Sequence, residues 1–116
     1  MGLAERDRTG QTCSRIATGI VRLYARLYGK GPTNAKARIV DDAVICVLRG
    51  GVTPVERTLI ERGDADAARR IRESLHDATS SRMQAVVEEA TRREVTAHVS
   101  QTHVDPDVAV ELFSLG

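Results

Sequence analysis

Between Gly29 and Thr58 the sequence reads GKGPTNAKARIVDDAVICVLRGGVTPVERT, and this stretch restricts the fold more than any other. Gly29 and Gly31-Pro32 stop a preceding helix: glycine suits the left-handed position after a last turn, and proline cannot continue one. From Thr33 to Val40, Ala35, Ala37 and Ile39 alternate with Lys36, Arg38 and Val40, the period of a strand. Asp41-Asp42 follows as a two-residue hairpin turn, where Asp tolerates positive φ. Ala43 to Leu48 is apolar at every position, as in a strand covered on both faces. One cover is a helix layer. The other is a further helix or a second copy of the chain. Arg49-Gly50-Gly51-Val52 turns into Thr53-Pro54-Val55-Glu56, a capping box with Thr at N-cap, Pro at N1 and Glu at N3. That helix runs to about Arg62, with Val55, Leu59 and Ile60 as its apolar side, and Gly63 stops it.

The flanks fit around this unit. Residues 1–12 are polar and glycine-bearing and read as a flexible segment before one domain over 13–116. Thr12 or Ser14 can cap a first helix whose stripe is Ile16, Ile20, Leu23 and Leu27, with Ala17, Val21, Tyr24 and Tyr28 beside it. Asp64 can cap another helix with a stripe of Ala67, Ile71, Leu75 and Ala78, resumed by Met83, Val86, Val87 and Ala90. It is continuous or kinked at Thr79-Ser80-Ser81. Its charged residues, and His76 with them, read as a solvated face. Val95, Ala97 and Val99 alternate inward against Thr96, His98 and Ser100. Asp105-Pro106-Asp107 forms a loop. Val108, Val110 and Leu112 line one face of a last strand, with Ala109, Glu111 and Phe113 on the other. The order α-β-β-α-α-β-β predicts an α+β domain, a four-stranded antiparallel sheet with helices packed on it.

At 116 residues a single domain buries about two-thirds of its unfolded surface, so no disulfide or metal is needed to fold it. With only Tyr24, Tyr28 and Phe113 as aromatics, the core is Val, Ile, Leu and Ala. Seventeen basic and 16 acidic residues give a net charge of +1, against a dedicated nucleic-acid binder. Cys13 and Cys46 stand in different elements without a CxxC context, which suits a reduced, cytoplasmic protein. No run approaches the ~18 apolar residues of a membrane span, and MGLAERDRTGQT lacks the apolar core of a signal peptide.

Several residues invite chemistry. Lys30 in GKGP resembles part of a phosphate loop, but such a loop precedes a helix, whereas this one precedes a strand. A small anion could instead bind where Lys30, Lys36, Arg38 and Thr53 approach a helix N-terminus. Asp41 and Asp42 could share a proton or hold a cation, although paired exposed turn residues explain them as well. His98 and His103, with Asp105 or Asp107, lack a zinc spacing. As a catalytic set Asp41, Asp42, His98 and His103 would have to meet within hydrogen-bond reach. No cofactor, metal or catalytic set is expected. The expected interaction region is the 30–58 unit, including Lys30, Lys36, Arg38, Asp41, Asp42, Thr53 and Glu56.

LYGKGPTNAKARI, the Asp-Asp turn before an apolar strand, GGVTPVERTLI and the ending VTAHVSQTHVDPDVAVELFSL together resemble the MpsC-type family, over roughly Ser14 to Leu115. That family is named for a sodium-translocating, membrane-potential-generating system. The resemblance implies a cytoplasmic accessory, peripheral to the inner face of the membrane, with an integral membrane transporter as partner. It supplies no catalytic residues. Self-association as a dimer, without membrane insertion, is the companion expectation; a small-ligand or anion-sensing homo-oligomer is the alternative.

Overall fold

The computed structural model describes residues 2–116. Its elements are α1 (Leu3–Tyr28), β1 (Asn34–Val40), β2 (Ala43–Arg49), α2 (Pro54–Glu61), α3 (Ala65–Thr91), β3 (Val95–His103) and β4 (Val108–Leu115), in the expected order. The strands form one antiparallel sheet, β1-β2-β4-β3. Both β-hairpins are therefore intact, and β4 inserts beside β2 at the centre.

Local chemistry sets the element ends. Gly29 takes φ 76° after α1. Asp41 takes φ 53° in the hairpin turn. Thr53 Oγ1 accepts from the Glu56 amide, and Glu56 Oε1 returns to the Thr53 amide, so the capping box is complete. Asp64 caps α3 by accepting from the Ala67 amide. The helix α3 passes through Thr79-Ser80-Ser81 unbroken. The helix α1, however, begins at Leu3, well before Thr12 or Ser14. Ala4, Glu5, Arg6 and Arg8 are ordinary helix formers, so a helix held by packing from Cys13 onward can extend backwards through them.

The core lies between the sheet and a layer of α1 and α3. Ile16, Ile20, Leu23 and Tyr24 of α1 meet Ala37, Val44, Cys46, Leu48, Phe113 and Leu115 of the sheet, with Met83 and Val87 of α3. At Gly19 the two helices close up: a Cβ there would stand 2.6 Å from Val86 Cγ1. Cys13 and Cys46 are buried, free thiols, and burial pushes the Cys46 thiol up to about 12.

Three facing assignments differ from the sequence reading. A bulge between Val95 and Ala97 inserts one unpaired residue into β3. It reverses the alternation beyond it. His98 thus turns inward, its side chain 1% exposed, while Val99 points out, 60% exposed. In α3 the buried line is Ala68, Arg72, Thr79, Met83 and Val87, and Ile71 and Leu75 stay partly exposed. In α2 the buried residue is Glu56, and Val55 is 65% exposed. In both helices a charged side chain takes the inward place because its partner lies opposite.

The second face of the sheet has no cover among the described residues. Across β2 and β4 it presents Ala43, Ile45 and Val47 beside Val108, Val110 and Leu112, with Val40 and Val99 exposed at its edges. The cover expected on that side of β2 is not supplied by the described residues.

Candidate functional site

The corner at Gly50–Thr53 is held by side chains from four places in the fold. Gly50 has φ 74°, and a Cβ there would overlap the Thr33 side chain, so glycine is required. Lys30 Nζ donates to the carbonyls of Gly50 (2.7 Å) and Val52 (3.3 Å). Asp107, from the β3–β4 loop, accepts from the amides of Gly51 (3.2 Å) and Val52 (3.1 Å). Arg72 of α3 donates Nη2 to the Gly51 carbonyl (2.7 Å). It also forks onto Glu56, with Nε 2.7 Å from Oε2 and Nη2 2.9 Å from Oε1. Such a two-point guanidinium–carboxylate pair fixes direction as well as distance.

The Arg72–Glu56 pair is almost fully buried. Burial alone would disfavour both charges. The Arg72 hydrogen bond and the Thr53 amide overcome it and hold the Glu56 carboxyl below its ordinary range. Glu56 in turn raises the Arg72 guanidinium against the effect of burial. The guanidinium carbon stands 4.3 Å from the Tyr28 ring centroid and 5.5 Å from that of Tyr24, so two aromatic faces complete its cage.

A second buried network adjoins the first. Glu111, on the core-facing side of β4, is fully buried. Oε1 accepts from Tyr24 Oη (2.7 Å) and Ser100 Oγ (2.8 Å), and Oε2 lies 2.7 Å from His98 Nε2. His98 Nδ1 lies 2.7 Å from Ser80 Oγ, which also accepts from Gln84 Nε2 (3.0 Å). The His98 ring stacks on Phe113 at 4.4 Å. Burial, and then the Glu111 charge, lift the Tyr24 phenol far above its usual range. Among the described residues, no buried side-chain nitrogen or oxygen lacks a partner.

Arg72, Glu111 and both tyrosines line a half-open cavity of about 250 Å³, together with His76, Thr79, Met83 and Ser100. His76 therefore faces this cavity, 5.2 Å from the His98 ring, and is not simply part of a wet face.

The residues singled out from sequence are distributed differently. Lys30 and Thr53 do meet, at the Gly50–Thr53 corner. Lys36 and Arg38 lie exposed on the outer side of β1. The amides near which an anion would sit already hold the Asp107 carboxylate. Asp41 and Asp42 are exposed in the β1–β2 turn, where Asp42 pairs with Arg93 at 2.9 Å. His98 is in the core, and His103 bonds the Pro106 carbonyl in the loop beyond β3. These four do not form one cluster, and no group of three His, Cys, Asp or Glu fit for a metal occurs among the described residues.

Arg72 and Glu111 were missed. Glu111 shares its parity with Ala109, Phe113 and Leu115, so a charge stood on an apolar side; with both sides of β4 apolar, nothing marked which was the core. Arg72 sits four residues after Ala68, in a line that gains apolar character only at Met83.

A family model described as Na+-translocating membrane potential-generating system (MpsC) matches residues 8–116. No curated protein and no solved structure matches the chain.

Proposed function

The chain belongs to the MpsC family, and from that membership we propose that it is a non-enzymatic accessory module of a membrane-linked ion-translocating system, acting by binding to itself and to a partner. The observation that carries this is the uncovered apolar face of the sheet. Val, Ile and Leu side chains left on the two central strands of a sheet mark an association surface more often than a wet one. Among the described residues, no helix is long and apolar enough to cross a membrane, which fits a peripheral attachment. A cytoplasmic position, against the inner face of the membrane, goes with the buried free thiols.

Support for a non-catalytic role comes from the Ser80–His98–Glu111 chain. Its order imitates a nucleophile, base and acid. Yet Ser80 and His98 do not line the cavity, and Ser80 lies within α3, whose backbone amides are committed to the helix. A developing oxyanion would meet no free pair of donors there.

The test is an affinity capture of tagged chain from its native cells after mild-detergent solubilisation. Co-purification of an integral membrane transporter is the expected result. Recovery of the chain alone overturns the accessory role.

The cavity beside Arg72 favours a second reading, a homo-oligomeric sensor of a small polar or anionic ligand. Phosphate, nucleotides and bicarbonate at millimolar concentration would then raise the melting temperature by mass action. A flat response to all of them removes that reading.

A further inference from the structure

We infer that the outer face of the sheet binds a second copy of this chain, sheet against sheet, about a twofold axis running parallel to the strands between β2 and β4. This rests on the self-association half of the reading above and adds its geometry.

The strand register supplies the argument. Lys36, Val47, Val110 and Gln101 stand in one row across the outer face; Arg38, Ile45, Leu112 and Val99 stand in the next. Rotation about an axis between the two central strands maps each row onto itself. Val47 then opposes Val110 of the second copy, and Ile45 opposes Leu112. Each contact occurs twice, as an isologous interface requires. Aligned sheets pack at about 30°, so opposition holds best for these central pairs.

Edge-strand charge selects this axis. Of the three basic side chains on this face, Lys36 and Arg38 lie on edge strand β1, and Arg49 stands exposed at the end of β2, in the outermost row Asn34–Arg49–Val108–His103. The opposite edge strand offers Gln101 and Val99 at the matching rows, with no charge. Rotation about the strand direction places β1 over β3 of the second copy. Lys36 meets Gln101, and the Arg38 stem covers Val99 while its head reaches water. Rotation about an axis across the strands would place β1 over β1 and stack Lys36 and Arg38 on basic side chains.

Size sets the expected strength. Four strands about 4.8 Å apart and about seven residues long, at roughly 3.4 Å each, project about 460 Å². Two such faces total about 900 Å², below the roughly 1,200–2,000 Å² of standard interfaces and in the weak, transient class, so a reversible dimer is expected.

Sedimentation of the full chain between about 1 and 500 µM should show a concentration-dependent dimer, and Leu112→Asp should leave a folded monomer by circular dichroism. Lys36→Cys and Gln101→Cys proteins, each made singly, should be joined by a short bis-maleimide when combined, since sheets packed about 10 Å apart hold facing residues beyond the reach of a direct disulfide. Lys36→Cys alone should not cross-link to itself. Because Lys36 and Arg38 are exposed, the Lys36→Cys chain folds whatever the fate of the Leu112 variant. A wild-type chain that stays monomeric throughout overturns the inference, and efficient self-linking of Lys36→Cys overturns the axis. A monomer that still captures a membrane protein would refute the dimer and leave the accessory role standing. A dimer that captures none would do the reverse.

Discussion

Arg72 is the side chain on which the most separate groups depend: Glu56, the Gly51 carbonyl and two tyrosine faces. Removing one partner of a buried ion pair leaves the other charged and unsolvated. Arg72→Met should therefore cost about 3–5 kcal/mol in urea unfolding followed by circular dichroism. Adding Glu56→Leu should recover a large part of that loss, because the stranded carboxylate goes with it. The pair also sets a pH dependence. Glu56 titrates lower in the folded chain than in the unfolded one, so on acidification the unfolded chain takes up the proton first. Its contribution is complete above the unfolded value of about 4.3 and is lost as pH falls through the folded value. A Glu56→Gln chain should be less stable at neutral pH and show a shallower acid slope; equal slopes would assign the acid sensitivity to other carboxyls. Half of this was legible in the sequence. The Thr53–Glu56 box announced itself by spacing, because a cap is a local interaction. Arg72 lies 16 residues beyond Glu56, and only the path of the chain brings it there.

At the level of elements, α1 and α3 come into close contact at Gly19 and Val86. Val is stiff about χ1, so a methyl at position 19 has to move a helix or a rotamer. Gly19→Ala should destabilise by about 1–3 kcal/mol despite alanine's better helix propensity, and Val86→Ala in the same chain should relieve part of it. Additive losses would place the strain elsewhere. The helices and hairpins were readable because periodicity, glycine stops and caps act over a few residues. The facing of β3 was not. One bulge residue reversed it, and Thr96 carries no mark that separates it from an ordinary strand threonine. The stripe of α3 failed for a related reason: Ile71 and Leu75 were the obvious apolar choices, yet tertiary partners drew Arg72 and Thr79 inward.

Over the whole molecule the dimensions are 52 × 24 × 22 Å. A 26-residue α1 at 1.5 Å per residue is about 39 Å long, so its beginning reaches past the packed body. Ala4 to Arg8 are exposed, and a short helical end without packing is only marginally stable. Hydrogen exchange should be fast over residues 3–8 and slow from Cys13 to Leu23. Uniform protection would mean that something covers this end. The global order α-β-β-α-α-β-β was legible because each element declared its type and the connections are short, whereas the insertion of β4 beside β2 follows from no local signal. The β3 bulge has a last consequence for the length of the chain. Val95 pairs with Leu115 and Ala97 with Ser114, neighbours on β4, so Thr96 is a spare step in the ladder. A single-codon deletion of Thr96 would join two positions already in phase and keep His98 facing Glu111, at the loss of the Thr96 hydrogen bonds to Ser114. The same deletion within β4 would throw every later side chain onto the wrong face. The Thr96-deleted chain should fold, whereas one lacking Val110 should not, and proteolysis of the two side by side would tell them apart.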